Sequence, residues 1–220
     1  MQCGLFGKLP AKRDFIAYNM PRPFLDAWET WLQSGVAESQ HALGERWKDI
    51  FLTLPIWRFW CGPAVFGLPV TGAIMASVDG VGRYFPLSIC ACGSASEHPI
   101  PPPNMALNSW LDVCEQTLLG MLDEHSQYDP TRMLSQLGLP PADVPPVNRE
   151  TGPSNIWKAA DGSLQTAFED LAAADQSALN SRRSMWWTLG GKNHPQLLIT
   201  TKGTLTPSLW ISFMMGQIAT

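Results

Sequence analysis

Charged side chains set among aromatic and other apolar residues are the groups in this sequence best suited to specific chemistry. They lie near the start of the chain, inside an aromatic run and around a later turn: Lys8, Arg13, Asp14, Arg58, Asp79 and Arg83. Trp57 precedes Arg58 and belongs to the same candidate set. A charge removed from water is costly unless it is paired, so we expect partners to hold these residues in place.

Two interpretations of this set are open, and both can hold together. In the first, the residues form a structural network in which Asp14 or Asp79 accepts a bidentate hydrogen bond from Arg58 or Arg83. In the second, they form a polar site at one edge of a sheet that recognises a partner protein. The pattern therefore predicts a candidate partner-binding site and assigns it no reaction.

Patterns that indicate catalysis or metal binding are missing from the sequence. The four histidines are far apart, and neither a phosphate-binding glycine loop nor a Gly-x-Ser-x-Gly elbow occurs. Cys90 and Cys92 lack a second cysteine pair, so we expect buried apolar thiols and no zinc site. A Cys–His pair assembled by folding stays an open alternative. We expect no catalytic residue, no metal and no cofactor.

Composition argues against several classes of protein. The 220 residues carry a net charge of −4 and scattered basic residues, which is not typical of a nucleic-acid-binding protein. No apolar run approaches the roughly 20 residues that span a bilayer, and no signal-peptide pattern follows Met1. The five cysteines show no disulfide framework. We therefore expect a cytoplasmic protein with reduced thiols and no membrane insertion.

The elements that must position the charged set follow from periodicity and turn residues. Phe24, Trp28, Trp31, Leu32 and Val36 recur at helical spacing. Further helices are predicted over 44–51, after the N-cap Asn104, over 164–179 and after Pro207. Strands are predicted near 3–10 and at 56–61, 70–78, 85–92, 185–189 and 196–201, with turns at 79–82 and 190–193.

This order predicts an α/β fold: a single-domain layered sandwich over residues 1–220, with a mixed, largely antiparallel sheet of about five to six strands covered by helices. Proline-rich segments at 99–103 and 140–153 are expected to be a stiff spacer and a surface loop. They are not read as domain boundaries, because the strands on either side can share one sheet. Most of the ten tryptophans are expected in the core.

Several segments resemble the TagF family of type VI secretion-associated proteins. Residues 4–16 (GLFGKLPAKRDFI) are similar to the family's N-terminal signature, and residues 77–87 (SVDGVGRYFPL) carry the most specific likeness. Residues 184–188 (SMWWT) also fit, and the likeness is densest over 4–91. The sequence departs from the family at Arg13, where a glycine is usual, and at Gly80, where an arginine is common.

The resemblance implies a post-translational repressor of type VI secretion that contacts a forkhead-associated (FHA) scaffold protein. Some relatives carry a fused metal-dependent serine/threonine phosphatase domain. This chain has no aspartate-rich phosphatase motifs, so a phosphatase is expected to be a separate chain. Two alternatives stay open. A structural subunit of the apparatus predicts self-assembly through an apolar interface, and a hydrolase predicts a nucleophile and a base in a cleft.

Overall fold

One antiparallel sheet runs through the molecule. The computed structural model describes residues 1–94, 100–122, 129–142, 176, 179–191 and 194–216. The strands are β1 (Gln2–Gly7), β2 (Ile16–Tyr18), β3 (Trp57–Cys61), β4 (Val70–Met75), β5 (Leu87–Cys92), β6 (Arg183–Thr188) and β7 (Leu197–Lys202). Their order in the sheet is β2-β1-β5-β4-β3-β6-β7, and every neighbouring pair is antiparallel.

Helices cover both faces of this sheet. They are α1 (Arg22–Leu43), α2 (Trp47–Leu52), α3 (Pro63–Phe66), α4 (Met105–Gly120), α5 (Pro130–Leu137) and α6 (Pro207–Met215), and a 3-10 turn (Gly44–Arg46) precedes α2. α1, α2 and α6 pack on one face through one apolar cluster, and α4 and α5 pack on the other face through a second cluster. The predicted layered α/β fold is therefore confirmed.

The aromatic stripe of α1 is what fixes this helix to the sheet. Trp28 is fully buried, with its ring centroid 4.9 Å from that of Phe59 on β3. The indole N–H of Trp28 donates to Ser88 Oγ on β5 at 3.1 Å, and Ser88 donates in turn to the carbonyl of Phe6 at 3.1 Å. The helical spacing predicted for this stripe is thus confirmed. The indole N–H, the polar group of the Trp28 side chain, has a hydrogen-bond partner although it is buried.

Strand β3 divides its side chains between the two layers. Trp57, Phe59 and Cys61 belong to the cluster under α1, whereas Trp60 belongs to the cluster under α4. Because side chains alternate along a strand, Arg58 also points to the α4 side. All five residues are buried, as expected for a central strand covered on both faces.

The sheet contains seven strands, each antiparallel to its neighbours, where a mixed, largely antiparallel sheet of about five to six strands was expected. The strand missed was β2, a three-residue edge strand that is too short to show an alternating pattern. Strand β4 ends at Met75 and β5 begins at Leu87, so the residues between them form a longer turn than predicted. The shared sheet across the proline-rich segments is confirmed, since β6 pairs with β3.

One further prediction is confirmed, and two others fall mostly outside the described residues. Asn104 caps α4 as predicted, because its side chain accepts a hydrogen bond from the N–H of Leu107 at 2.8 Å. Most of the predicted helix over 164–179 and most of the predicted loop over 140–153 lie outside the described residues. Of the ten tryptophans, seven are buried and Trp31 and Trp187 are half-buried, while Trp157 is outside the described part.

Candidate partner-binding site

Two loops meet at one end of the sheet. β1 and β4 both end there, and β5 begins there, since Leu87 is opposite both Gly7 and Met75. The chain after β1 and the turn between β4 and β5 therefore leave the sheet side by side. We call residues 8–15 together with residues 79–83 the tip.

A buried ion network holds the tip together. Lys8 Nζ lies 2.8 Å from Asp79 Oδ2, and Arg83 Nε lies 2.6 Å from the same oxygen. The side chain of Asp79 is fully buried and that of Lys8 nearly so, whereas the side chain of Arg83 is 56% exposed. Of the pairings considered, that of Asp79 with Arg83 is observed, but the guanidinium binds through Nε alone and not in the bidentate way predicted. Lys8 is a second cation on the same carboxylate.

Asp79 also organises the backbone of its own turn. Its Oδ1 accepts hydrogen bonds from the N–H groups of Val81 at 3.1 Å and Arg83 at 2.8 Å. Burial by itself raises the pKa of Asp79, but the donors from Lys8, Arg83 and Val81 outweigh it and hold that pKa well below its ordinary value. The carboxylate is thus ionised at neutral pH and accepts from four donors.

The two loops are joined to each other as well. The N–H of Gly80 donates to the carbonyl of Lys12 at 2.9 Å, and Arg83 Nη2 donates to the carbonyl of Arg13. A Cβ atom at position 80 would lie 2.8 Å from the carbonyl oxygen of Pro10. The close approach of the loops therefore favours glycine at position 80.

An aromatic side chain covers the buried cation. The ring of Phe15 lies 4.8 Å from Lys8 Nζ, and it makes an edge contact with Phe85 at a centroid distance of 4.8 Å. It also stacks on Phe6 at 5.8 Å. Phe15 is nevertheless 44% exposed, so its ring covers Lys8 on one side and faces solvent on the other. A cation placed against an aromatic face in this way is stabilised by the ring quadrupole.

The outer rim of the tip carries the remaining candidate residues. The side chains of Arg13 and Asp14 are exposed, and Val81 is exposed beside them. Arg13 uses its carbonyl to bind Arg83 and has no positive φ, so the loop does not need the glycine that is usual in the family. Phe15 and Val81 were not among the predicted site residues, because neither combines charge with an apolar neighbourhood.

Arg58 lies away from the tip and binds α4. Its Nε lies 2.6 Å from Glu115 Oε1, and its Nη2 lies 2.6 Å from Asp112 Oδ1. Its Nη1 donates to the carbonyl of Asn108 at 3.4 Å. The predicted pairing of Arg58 with Asp14 or Asp79 was therefore wrong. The guanidinium is only 2% exposed, which makes it a fixed link between the sheet and α4.

Trp57, the other candidate on β3, is in the core. It is fully buried and stacks on Phe213 of α6 with a centroid distance of 4.4 Å. Neither Trp57 nor Arg58 presents a side chain to solvent, so the geometry favours a structural role for both. Of the candidate residues, Arg13, Asp14 and Arg83 are the ones exposed to solvent.

The cysteines are placed for packing. All five are free and buried, and Cys90 and Cys92 share one face of β5, as predicted. Burial raises the pKa of both Cys3 and Cys92 to about 12. A thiol with such a pKa is protonated at neutral pH and is a poor nucleophile. Within the described ranges, no cluster of three histidine, cysteine or acidic side chains could hold a metal ion.

Over the described part of the chain, no helix combines the length and apolar character needed to cross a bilayer.

The fold and the tip define a three-layer α/β protein in which an internal ion network fixes two exposed loops. The chain belongs to the TagF family: the TagF N-terminal domain, described as type VI secretion system-associated, matches residues 4–137. That match covers well over half of the 220 residues. None of the curated proteins matches the sequence.

A solved structure is similar over nearly the whole chain. The crystal structure of PA0076 from Pseudomonas aeruginosa PAO1 superimposes with a TM-score of 0.78 at 28% sequence identity. The alignment covers 98% of this chain and 94% of PA0076. The similarity therefore includes β6, β7 and α6, which follow the part matched by the family.

Proposed function

We propose that this protein is a non-enzymatic regulator of a bacterial type VI secretion system, which represses secretion after translation by contacting an FHA-domain scaffold protein. The observation that carries the proposal is the family match over residues 4–137, which contains every residue of the tip. We place the protein in the cytoplasm, where an FHA scaffold and any separate serine/threonine phosphatase would be accessible to it.

The arrangement of polar groups supports binding over catalysis. At the tip, Asp79 is buried and already accepts from four donors, so it has no free lone pair aimed at a substrate. The five thiols are buried and the pKa of Cys3 and Cys92 is high, which disfavours a cysteine nucleophile. What the tip offers instead is a group of exposed side chains, of which Arg83 and Phe15 are held in place, and this arrangement favours recognition of another protein.

The repression can be tested in the host bacterium. Raising the amount of this protein is expected to reduce secretion of the system's substrates while the amounts of the apparatus proteins stay constant. That second measurement separates a post-translational effect from a change in expression. Unchanged secretion at high protein levels would overturn the proposal.

The partner is tested with purified proteins. The FHA scaffold of the same secretion system is expected to form a stable complex with this chain, measured by calorimetry and by size-exclusion chromatography. The same chromatogram tests the alternative of a structural subunit, because that function predicts large self-assembled species without the scaffold. A monomeric chain that does not bind the scaffold would contradict both.

A further inference from the structure

We infer that the tip is the docking surface of this protein and that it recognises a carboxylate-rich segment of its partner. Arg13 and Arg83 would face the partner's carboxylates, while Phe15 and Val81 would contact apolar side chains beside them. The inference rests on the proposed function and adds to it the surface used and the chemistry of the segment bound.

The charge of the tip is opposite to the charge of the chain. Its exposed ionised side chains are those of Lys12, Arg13 and Arg83, against the single carboxylate of Asp14. Lys8 and Asp79 are buried and neutralise each other. The protein as a whole has a net charge of −4. A basic end on an acidic molecule orients the protein toward an acidic partner. The same end repels basic surfaces.

The guanidinium of Arg83 is held in place before any partner arrives. Arg83 uses Nε to bind Asp79 and Nη2 to bind the carbonyl of Arg13, and more than half of its side chain faces solvent. Its planar group is therefore fixed in direction while part of it stays accessible. Because the side chain is already ordered, binding costs less conformational entropy than it would for a free arginine.

Apolar contacts are available next to these charges. Phe15 is fixed by its contacts with Phe6 and Phe85 and still exposes almost half of its surface. Val81 is more than half exposed, although its backbone N–H is bound to Asp79. Aromatic residues, phenylalanine included, and arginine are enriched at protein interfaces relative to the rest of the surface. An acidic segment with an adjacent apolar residue fits this surface.

Arg13→Glu and Val81→Asp test the inference without touching the ion network. The side chains of both residues are exposed, and the backbone groups that they contribute to the tip are unaffected. Arg22→Glu is the matched control, because Arg22 is 81% exposed and follows β2 at the opposite end of β1. Thermal unfolding of all three variants checks that the fold is kept.

Calorimetry with the FHA scaffold gives the decisive comparison. Arg13→Glu and Val81→Asp are each expected to weaken binding by at least about tenfold relative to Arg22→Glu, which should bind like the wild type. Raising NaCl from about 50 mM to about 300 mM is expected to weaken wild-type binding and to affect Arg13→Glu less. Equal affinities for all three variants would overturn the docking surface while leaving the proposed function intact.

A phosphorylated segment could supply a similar anion, so the scaffold is also measured after phosphatase treatment. Unchanged affinity supports carboxylates as the recognised groups, and lost affinity overturns that assignment. If the untreated scaffold does not bind the wild-type chain at all, the proposed function fails and this inference fails with it.

Discussion

Lys8 and Asp79 are 71 residues apart in the sequence and form a 2.8 Å ion pair in which both side chains are buried. The pair connects the end of β1 to the turn that follows β4. Asp79 also pairs with Arg83, and the guanidinium of Arg83 donates a hydrogen bond to the carbonyl of Arg13. One carboxylate thus sets the relative position of two loops that carry the exposed residues of the tip.

The stability supplied by Asp79 is expected to disappear in acid. Its pKa is lowered in the folded protein, so the contribution is fully present above the unfolded value of about 3.9 and is lost as the pH falls toward the folded value. Urea unfolding of the wild type and of Asp79→Asn is expected to show a large difference in stability at pH 7. That difference should shrink below about pH 4.

Asp14→Asn serves as the control for this measurement, because Asp14 is an exposed carboxylate of the same tip. At pH 7 its free energy of unfolding is expected to stay close to that of the wild type, within about 0.5 kcal/mol. A stability gap between the wild type and Asp79→Asn that is as large at pH 3 as at pH 7 would contradict the role of the ionised carboxylate.

Removing the charge of Arg58 is expected to loosen α4 from the sheet. In Arg58→Met the acidic side chains of α4 lose their only described cation, and we expect the free energy of unfolding to fall by about 2–3 kcal/mol. Arg58→Lys keeps the charge but not the planar fork that binds two carboxylates, so an intermediate loss is expected. Denaturant unfolding at pH 7 measures both.

The two acidic partners of Arg58 should contribute unequally. The side chain of Glu115 is 20% exposed and that of Asp112 is 56% exposed, so water screens the second pair more strongly. Double-mutant cycles with Glu115→Gln and Asp112→Asn are expected to give the larger coupling energy for Glu115. Equal couplings would show that exposure does not decide the strength of these pairs.

The sequence predicted the network at Asp79 better than the one at Arg58, and the reason is distance along the chain. Asp79 and Arg83 are four residues apart around a turn with glycines, so their pairing is local. The partners of Arg58 are more than 50 residues away on α4. Nothing in the sequence near Arg58 indicates Asp112 or Glu115, and only the packing of α4 against β3 shows that they reach the buried guanidinium.

The same distinction between local and distant information holds for the sheet. The central strands carry apolar or aromatic runs that indicate burial, so β3, β4 and β5 were predicted close to their observed bounds. Strand β2 has three residues and exists because it pairs with β1, for example Tyr18 opposite Leu5. Ile16 and Tyr18 each favour a strand, but three residues are too few to show an alternating pattern, which is why the predicted strand count was low.

The sheet requires glycine at position 72, whereas nothing in the described structure requires glycine at position 120. A Cβ atom on Gly72 would overlap the carbonyl oxygen of Ile89 on the neighbouring strand, whereas a Cβ atom on Gly120 would meet no atom within 4 Å. Gly72→Ala is expected to lower the free energy of unfolding by about 2 kcal/mol or more. Gly120→Ala is expected to be neutral or to raise it by up to about 1 kcal/mol. Thermal melts of the pair decide this, and similar melting temperatures would contradict it.

The five cysteines are expected to resist chemical modification in the folded protein. All are buried, and because the pKa of Cys3 and of Cys92 is about 12, these thiols stay protonated even at pH 9. Titration with Ellman's reagent is expected to show slow reaction in buffer and rapid reaction of five thiols in urea. A single thiol that reacts quickly with the native protein at pH 7 would reveal an accessible thiolate. That result would favour the hydrolase alternative over a binding protein, because a cysteine nucleophile must be ionised and reachable before it can attack a substrate.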